Sequence, residues 1–499
     1  MIDIISAKDS IRLDQETINS KISTKNQLVQ NAGREIAFHL IDNIHNPFNK
    51  TFICIAGNGD NGMDAITCHK ILIKNSVNSS LFIIDRSKVK ASFLDGVAYY
   101  SKIENIDFAS YDIIVDGIFG TGLNRKVTGN FADVINKISK CKNVVSIDIP
   151  SGVFADTGIA LGPSVNASST ITFTYPKISH FIGEGYKKSG ELFIYEIGHH
   201  EDSINSNIKL IRDEDISNKI KPYLKDNDKY MNGKVLTLTG SAKYSGASIL
   251  SGKAALKSGA GIIKQIFPSS LDNYFTNFIE AVDCSIDDKN LGFLTNSSFE
   301  LIRNEFHWPD CFLIGPGISS HKKSLSLIKN ILSTYKNKCV LDATALNSIN
   351  YKSDKFRNTP ESSILTPHYN EFSKMIDVPV EVFKSDIIKH IKKVSKFLEN
   401  RILVLKGPNT VIADGQNNIY VIEKGTYNLG TAGTGDILSG IISSYVASGY
   451  TLIDAAIIGA SIHSHISFIL MSKNIRSITA SEMFSYINHS QNHFLNYHD

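Results

Sequence analysis

Short runs of β-branched and aromatic residues alternate with helical stretches through the first half of the chain, and this alternation constrains the fold most strongly. The runs are TFICIA (51–56), SLFIID (80–85), YDIIVDG (111–117) and NVVSIDI (143–149). Parallel strands need a crossover connection of a dozen or more residues, usually an α-helix. The alternation therefore predicts a parallel sheet covered by helices, with ligands bound beyond the carboxyl ends of the strands.

A second alternating pattern begins with GKVLTLTG at residues 233–240 and continues through the apolar runs GIIKQIF, CFLIGP, KCVLDA, SILTP and RILVLKG. Because 499 residues exceed what one hydrophobic core usually supports, two α/β domains are expected. We assign residues 1–222 to a Rossmann-like three-layer domain and residues 223–499 to a second three-layer domain. The boundary is expected within residues 199–230, which are polar, mixed in charge and free of a convincing strand.

The charge pattern points to small-molecule partners. The chain has 52 Lys and Arg against 49 Asp and Glu, a net charge of +3, and its basic residues are scattered, which argues against nucleic acid and membranes. Its six cysteines show no CxxC pairing, and neither a leader segment nor an apolar run of membrane-spanning length is evident. We expect a soluble, cytoplasmic protein that forms a homo-oligomer.

The first candidate site begins with the loop GNGDNGMD at residues 57–64, between a predicted strand and a predicted helix. Glycines at such a junction let backbone amides approach a phosphate, and the helix N-terminus adds a favourable positive potential. A tight turn capped by Asp or Asn would give the same local pattern, so this loop alone does not separate the two interpretations.

Two further predicted strands end in polar residues at the same edge of the sheet. Asp116 precedes the flexible sequence GIFGTGL, and Asp148 precedes Ile-Pro-Ser151-Gly. With Asn61, these residues offer oxygen ligands for a hard monovalent cation and a carboxylate for acid or base catalysis. Capping would explain any one of these residues, but it explains the whole set poorly.

The three ordered motifs GNGDNGMDA, DGIFGTGL and DIPSGVFADTG, with the helix QLVQNAGREIA, resemble the NAD(P)H-hydrate epimerase family over roughly residues 1–215. The resemblance implies that Asp148 is the catalytic carboxylate and also contacts the substrate. It implies potassium ligands at Asn61, Asp116 and Ser151. The remaining implied substrate contacts are Asp60, Asn61, Gly62, Met63, Asp64, Gly120, Thr121, Gly122, Leu123, Asn124, Arg125 and Lys126.

Three positions of the first loop depart from the family pattern. Asp60, Met63 and Ala65 stand where the family usually has Asn, Gly and Gly. We therefore expect a bulkier and more acidic loop, with the residues for the cation and the proton-transfer step all present.

The second candidate site contains the sequence GTAGTGD at residues 430–436, followed by a strongly helical pattern. Small residues at a helix start form an anion site for phosphate, and Asp436 is placed to accept a proton from a substrate hydroxyl. The sequence KGPNT at 406–410 follows a predicted strand and supplies a cation, a flexible backbone and a hydroxyl. TPHYNE and Gly-Pro-Gly317 follow two others, and there His368 is more plausibly a ligand contact than a structural histidine.

These segments, with GSAKYSGASILSGKAALKSGAG and LDATALN, resemble the ribokinase-like NAD(P)H-hydrate dehydratase family over about residues 225–490. The resemblance implies a C-terminal ribokinase-like domain that uses ADP or ATP with magnesium. One stretch departs, because TYNLGTAGTGD replaces the family's usual GNPGMATGGTGD. The implied contacts are Ala247, Gly317, His368 and Asp436 at the hydrated dinucleotide, and Lys406, Gly407, Pro408, Asn409, Thr410 and Gly435 at the adenine nucleotide.

The resemblance implies a repair reaction on both NADH and NADPH hydrates. Eliminating the hydroxyl of the hydrated nicotinamide restores the conjugated ring, but hydroxide leaves poorly. If Asp436 deprotonates that hydroxyl and the nucleotide phosphorylates it, phosphate becomes the leaving group. Because the hydrate forms as R and S epimers, an epimerase on the same chain allows both to be repaired.

Two other functions fit parts of the pattern. A ribokinase-type small-molecule kinase would also use a GTGD helix start and a lysine loop. A non-catalytic binding domain would account for the first half, since related folds need not be enzymes. TPHYNE argues against the kinase, and Asp148 beside the three cation ligands argues against the silent domain.

Overall fold

The computed structural model describes residues 1–89, 91–200, 204–222, 226–275, 278–352, 354–425 and 427–497. Two compact units divide the chain, Ile2–Ile208 and Lys209–Asp499, the latter together with Met1. We call them the first and second unit. The domain boundary was expected between residues 222 and 223, next to residues 223–225, which lie outside the described residues. The second unit begins earlier in the chain, at Lys209.

The first unit contains a parallel sheet in the order β3-β2-β4-β5-β6-β7, which confirms the predicted parallel arrangement. The four predicted strands match β2 to β5 to within a few residues, and the sequence did not predict β6 and β7. The strands are β1 (Ile2–Asp3), β2 (Thr51–Ala56), β3 (Asn78–Ile83), β4 (Ile113–Gly117), β5 (Val144–Ile147), β6 (Ser169–Phe173) and β7 (Glu191–Tyr195). The helices are α1 (Ala7–Asn19), α2 (Lys25–Asn43), α3 (Asp60–Lys74), α4 (Asn130–Ile138) and α5 (Gly183–Ser189).

Alternate residues of the central strands pack into two separate cores, which gives the expected three layers. Cys54 and Val115 pack in one core with residues of α2 and α3. Ile53 and Ile114 pack in the other with residues of α4. Helices α2 and α3 approach closely because Gly33 has no side chain, and an added Cβ there would lie 2.5 Å from a side-chain carbon of the facing helix.

The second unit contains a larger sheet, whose strands follow the order β8-β17-β16-β15-β14-β13-β12-β9-β10-β11. Neighbouring strands are parallel along the series β11, β10, β9, β12, β13, β14 and β15. The pairs β15-β16 and β16-β17 are antiparallel. The strands are β8 (Ile208–Ile211), β9 (Lys234–Leu238), β10 (Ile262–Pro268), β11 (Val282–Ile286), β12 (Cys311–Ile314), β13 (Cys339–Leu341), β14 (Ser363–Leu365), β15 (Ile402–Leu405), β16 (Val411–Ala413) and β17 (Ile419–Ile422).

Helices cover both faces of this sheet. Cys311 and Leu313 of β12 pack in one core with residues of α7, α15 and α16, and Phe312 packs on the ring of Tyr335 at the end of α10. The helices are α6 (Asp213–Ser217), α7 (Ser245–Lys257), α8 (Asp272–Phe275), α9 (Phe299–Arg303), α10 (Lys322–Thr334), α11 (Asp354–Arg357), α12 (Tyr369–Ile376), α13 (Val380–Lys384), α14 (Ile387–Leu398), α15 (Thr434–Ala447), α16 (Leu452–Ser472) and α17 (Phe484–Leu495).

The expectation of a strand-free linker at residues 199–230 is wrong. This segment forms β8 and α6, and the side chains of Leu210, Ile211 and Ile216 are almost fully buried. The segment has few apolar residues, and they stand among charged ones, so no hydrophobic periodicity in the sequence predicts the strand or the helix. Burial in the core decides their structure instead.

Helix α16 is long and apolar enough to cross a membrane by length and composition, which the sequence analysis did not identify. Some 78% of its most apolar window is buried inside the structure, as in the core helix of a globular unit. The buried face also carries polar residues, among them Ser461, His463 and His465.

Candidate functional sites

The glycine-rich loop of the first unit joins β2 to the start of α3, as predicted. A Cβ added to Gly57 would lie 2.0 Å from the carbonyl oxygen of Ile118, and one added to Gly62 would lie 2.1 Å from the oxygen of Gly57. Both glycines are therefore required by close backbone packing. Gly59 has no side chain to cap the helix, and the amides of Gly62 and Met63 donate to its carbonyl oxygen at 3.1 and 3.3 Å. The two amides that precede them, at the start of α3, are placed to meet a ligand.

This loop borders a cavity of about 660 Å³ within the first unit. Of the predicted substrate contacts, the loop residues Gly62 and Met63 lie outside the lining. Asn124, Arg125 and Lys126 are exposed and also lie outside it. The predicted contacts that line the cavity are Asp60, Asn61, Asp64, Gly120, Thr121, Gly122, Leu123 and Asp148.

Asp60 at the cavity rim is exposed, and its carboxylate pairs with the Lys25 ammonium at 2.7 Å. The first turn of α2 thus supplies a positive charge opposite the acidic residue that departs from the family pattern. An exposed pair of this kind contributes only about 0–1 kcal/mol, so its main consequence is to reduce the acidity of the rim.

Asp148 follows β5 with a left-handed backbone, at a φ of 64° that non-glycine residues rarely adopt. Its carboxylate accepts hydrogen bonds from the Thr121 amide at 3.0 Å, the Thr172 hydroxyl at 3.1 Å and the Lys177 ammonium at 2.6 Å. His180 contacts its carbonyl oxygen at 2.8 Å. The surroundings therefore hold this side chain in one orientation.

The charge state of Asp148 follows from the same contacts. Burial alone would raise the pKa of this carboxyl, but the charge and hydrogen bond of Lys177 outweigh it and bring the pKa below the usual value. Both side chains are nearly inaccessible, with 8% and 3% exposure. The site therefore presents an ionised carboxylate at neutral pH.

Asp64 lines the same cavity and has its pKa shifted in the opposite direction. Its residue is 6% exposed, and burial, together with the charges of Asp60 and Asp148, raises its pKa well above the usual value. Two carboxyls with pKa values shifted apart thus face one cavity.

The predicted cation ligands lie close together. Asp116 is fully buried and accepts hydrogen bonds from the Ser151 hydroxyl at 2.6 Å and the Ser146 hydroxyl at 2.8 Å. Burial raises its pKa, and within the part of the chain that the structure describes no cationic side chain pairs with it. A buried carboxylate that lacks a counter-charge and is surrounded by hydroxyl oxygens fits a monovalent cation.

The Asn61 side chain is held by a hydrogen bond to the backbone. Its side-chain amide nitrogen donates to the carbonyl oxygen of Ile147 at 2.8 Å, which orients the side chain at the end of β5. A Cβ on Gly120 would lie 2.5 Å from the Asn61 side-chain oxygen, so a larger residue at that position would displace the Asn61 amide from its present place. The structure therefore brings the motifs of all three strands together.

In the second unit, the GTGD sequence forms the start of α15, as predicted. Gly433 caps this helix in the left-handed conformation, at a φ of 92°. His463 of α16 contacts the carbonyl oxygen of Thr434 at 3.1 Å and supports the first turn from behind. The turn places Gly435 near the Lys406 ammonium, which an added Cβ would approach to 3.3 Å.

Asp436 lies in a strongly acidic environment. Burial and the nearby carboxylate of Asp342 raise its pKa to about 7, and Glu371 adds to the shift. Lys406 opposes the shift only partly, because its ammonium is held by Asp342 at 2.7 Å. The same carboxylates outweigh the effect of burial on Lys406 itself and raise its pKa, so it stays charged.

His368 lies beside Lys406, since the two residues form a parallel bridge between their strands. The side chain is half exposed and caps α12, where its Nδ1 accepts from the amides of Asn370 and Glu371 at 3.1 and 3.3 Å. Its Nε2 lies 3.6 Å from the Glu371 carboxylate. The residue is thus a helix cap that also presents a ring edge at the site.

The remaining predicted contacts differ in accessibility. Gly317 packs on Ala247, whose Cβ would lie 2.7 Å from an added side chain. Asn409 and Thr410 are almost fully buried, and the Asn409 amide donates to the carbonyls of Ile422 and Glu423 at 3.0 Å each. The Asn409 side chain therefore fixes the loop at β17, where the Ile422 amide also donates to the Thr410 carbonyl oxygen at 3.0 Å.

Three charged residues at the two candidate sites are not among the site residues predicted from the sequence. Lys177 of the first unit shifts the pKa of Asp148, and Asp342 and Glu371 of the second shift that of Asp436. Asp342 and Glu371 stand in the quoted motifs LDATALN and TPHYNE, which was a usable signal. Nothing in the local sequence distinguishes Lys177 from the other lysines.

Comparison with known proteins agrees with both units. A family model described as NAD(P)H-hydrate dehydratase matches residues 235–489, and one described as YjeF-related protein N-terminus matches residues 25–179. A ribokinase-like superfamily protein from Enterococcus faecalis shares the fold at 21% identity, with a TM-score of 0.50, over 59% of this chain and 99% of its own.

Two relatives match nearly the whole length. The bifunctional NAD(P)H-hydrate repair enzyme of Dictyoglomus turgidum is 30% identical over 477 residues, which cover 91% of this chain and 92% of that protein. The enzyme of the same name from Moorella thermoacetica is 26% identical, over 92% and 91% of the two chains. This chain belongs to the family of bifunctional NAD(P)H-hydrate repair enzymes.

Proposed function

We propose that the chain repairs hydrated NADH and NADPH in two steps, epimerisation of the R and S forms in the first unit and nucleotide-dependent dehydration of the S form in the second. The observation that carries this proposal is the presence, in one chain, of two aspartates at candidate sites, the buried Asp148 and the partly buried Asp436, whose pKa values are shifted in opposite directions. Asp148 is ionised beside Lys177, and Asp436 is poised near neutrality beside Lys406.

In the first unit, Asp148 accepts protons and Asp64 donates them. The hydrated ring carries its hydroxyl on the carbon bonded to nitrogen. Proton donation by Asp64 to that oxygen lets water leave while the nitrogen lone pair forms a C=N bond. Water then adds to the opposite face and gives its proton to Asp148, which completes the inversion. Proton exchange with solvent returns Asp148 to its ionised form and Asp64 to its protonated form before the next turnover. Two carboxyls with pKa values shifted apart suit these two roles.

A potassium ion fits the oxygen cluster of Asn61, Asp116 and Ser151. The fit rests on the fully buried Asp116, for which a cation would supply the missing counter-charge. When bound, the ion would hold the loop of Phe119, whose amide donates to the Ser151 hydroxyl at 2.9 Å, and so keep the cavity shaped for the substrate.

In the second unit, ADP or ATP is proposed to bind with its phosphates at the start of α15 and at Lys406, where backbone amides and an ammonium supply positive charge. Asp436 accepts the proton of the substrate hydroxyl as a phosphoryl group is transferred to that oxygen. The ring nitrogen lone pair then expels phosphate with cleavage of the C–O bond and forms a C=N bond. Loss of a proton from the neighbouring ring carbon to solvent forms the C=C bond and restores the conjugated dihydronicotinamide.

Magnesium fits the acidic side of this site. The carboxylates of Asp342, Glu371 and Asp436 all lie close enough to Lys406 to raise its pKa, and the first two also raise the pKa of Asp436. Carboxylates supply the hard oxygen ligands that magnesium prefers with nucleotide phosphates. When bound, the ion would neutralise phosphate charge, while the orientation of the hydroxyl is left to the protein.

Membership in the repair family removes the support for a ribokinase-type kinase with a silent first domain. We retain as predictions the cytoplasmic location, in which the six free thiols stay reduced, and the homo-oligomeric state.

The proposal is tested with separately purified R and S epimers of NADPH hydrate, by following the return of dihydronicotinamide absorbance. With ADP or ATP and magnesium, pure protein should convert both epimers, the R form only after inversion. Conversion of neither epimer, or phosphorylation of the hydrate without recovery of absorbance, would contradict it.

A further inference from the structure

Three side chains that belong to neither proposed site come together at the edge of the second unit. Asp213 begins α6, His465 lies on α16, and His493 lies on α17. Each offers a ligand atom, and these atoms lie within 4.8 Å of one another. The residues are far apart in sequence, so only the packing of the three helices unites them.

The two imidazoles are arranged side by side. Their ring centroids are 4.1 Å apart and the planes differ by 17°, while His493 Nε2 lies 2.7 Å from a carboxylate oxygen of Asp213. One nitrogen is therefore already oriented toward the carboxylate, and small rotations of the side chains would bring all three donors around one point.

His465 provides independent evidence that a ligand is missing from this cluster. The residue is only 4% exposed, and its buried Nδ1 has no hydrogen-bond partner among the residues that the structure describes. Buried polar atoms are nearly always paired, so such an atom calls for an explanation such as an ion. Packing on Phe468 and Phe494 explains the position of the ring but leaves the nitrogen unpaired.

The cluster is open to solvent on one side and already holds a competing cation. His493 is 36% exposed and Asp213 is 17% exposed, so an ion can enter between them. The Lys424 ammonium also donates to Asp213, and it lies 4.8 Å from the centre of the Phe468 ring. Its charge opposes a metal ion at the same carboxylate.

We propose that Asp213, His465 and His493 form a binding site for a borderline divalent transition metal such as Zn²⁺. Two imidazoles and one carboxylate are ligands that this class of ion takes in proteins, commonly with water in the fourth position. Mg²⁺ and Ca²⁺ prefer oxygen ligands and would not compete. The ion would tie α6 to α16 and α17, outside the dehydratase site.

The test is a titration of tag-free, chelator-treated full-length protein with Co²⁺, whose visible absorbance reports a tetrahedral site, followed by displacement with Zn²⁺. The expected result is one Co²⁺ bound per chain, with at least a tenfold loss of affinity in His465→Gln and in His493→Gln. His489→Gln is the matched control, because this exposed histidine lies one turn earlier on α17 and contacts Ser485 and Tyr486 of its own helix.

Lys424→Met gives a readout that does not depend on the buried histidine variants folding. This change removes the competing charge and keeps an apolar chain over Phe468, so it should tighten Co²⁺ binding. Zn²⁺ should also raise the melting temperature of the wild type. Absence of stoichiometric Co²⁺ binding in both wild type and Lys424→Met, or an equal loss in His489→Gln, would overturn the proposal.

Discussion

The pKa values of Asp148 in the first unit and Asp436 in the second are shifted in opposite directions. The pKa of Asp148 lies below its usual value, because the Lys177 ammonium at 2.6 Å outweighs the cost of burial. Burial and the carboxylate of Asp342 raise the pKa of Asp436 to about 7. Burial raises both pKa values, so the difference between the two carboxyls comes from the charged groups around them.

The two units place their lysines differently relative to these aspartates. Lys177 donates directly to Asp148, whereas Lys406 donates to Asp342 and reaches Asp436 only through space. In the proposed reactions both carboxylates accept a proton, so the two bases should differ in the pH range over which they are ionised.

The largest expected effect is that of Asp436→Asn, which keeps the shape of the side chain and removes its basic oxygen. Dehydration of the S epimer should fall roughly 100- to 10,000-fold, the usual contribution of a general base. Consumption of the R epimer should fall with it, since both forms must finally be dehydrated. The measurement is recovery of dihydronicotinamide absorbance with ADP and magnesium.

Asp377→Asn is the matched control for this experiment, because Asp377 is an exposed aspartate of the same unit, in the left-handed conformation that Asn tolerates. It should turn over like the wild type. Near-normal turnover of Asp436→Asn would remove that residue from its assigned role.

Asp148→Ala should separate the two activities. S-epimer dehydration should be unchanged, while R-epimer consumption should drop to the rate of spontaneous epimerisation. This loss is smaller than that expected for Asp436→Asn, because spontaneous epimerisation continues without the enzyme. Epimer ratios followed by chromatography give the measurement, and exposed Asp133→Ala of α4 serves as control. If wild type consumes the R form no faster than Asp148→Ala, the first unit has no epimerase activity under these conditions.

Lys177→Met should make the first site behave more like the second. Without its cation, buried Asp148 would be governed by desolvation, and its pKa would rise. Epimerisation should then become slower at pH 6 than at pH 8, a difference that the wild type does not show. A purely structural role for Lys177 would instead lower the rate equally at every pH, and Lys188→Met should change neither rate nor profile.

The wild-type pH profiles should differ between the units. Since Asp436 acts in its ionised form and has a pKa of about 7, S-epimer dehydration should fall as pH drops below 7, by about tenfold at pH 6. R-to-S epimerisation should stay level over the same range, because the pKa of Asp148 lies far below it. Identical profiles would refute the contrast in charge state.

The smallest expected effect concerns stability. The pKa of Asp436 is higher in the folded than in the unfolded state. Its stabilisation of the folded state is therefore fully present below the unfolded pKa and is lost as pH rises through 7. At pH 8 the free energy of unfolding of Asp436→Asn should therefore exceed that of the wild type, by at most about 4 kcal/mol. The excess should be much smaller at pH 5. Calorimetry at the two pH values measures the difference, and an equal gain at both would contradict it.

Much of the architecture and most of the site could be predicted from the sequence, because both depend on local patterns. Strand-like runs followed by helical stretches indicated the parallel sheets, and polar residues after those runs indicated where ligands bind. The glycines that the loops need, such as Gly57 and Gly62, stand in those motifs because the backbone packs too closely for a Cβ. The carboxylates Asp148 and Asp436 were identified in the same way.

Only the tertiary structure decided which charges surround those carboxylates. Lys177 is 29 residues from Asp148 in sequence and 2.6 Å from it in space, and Asp342 is 64 residues from the Lys406 that it holds. The strand β8 and the cluster of Asp213, His465 and His493 likewise exist only through packing. A pKa depends on burial and on distances to other charges, and both are set by contacts between segments that the linear sequence keeps apart.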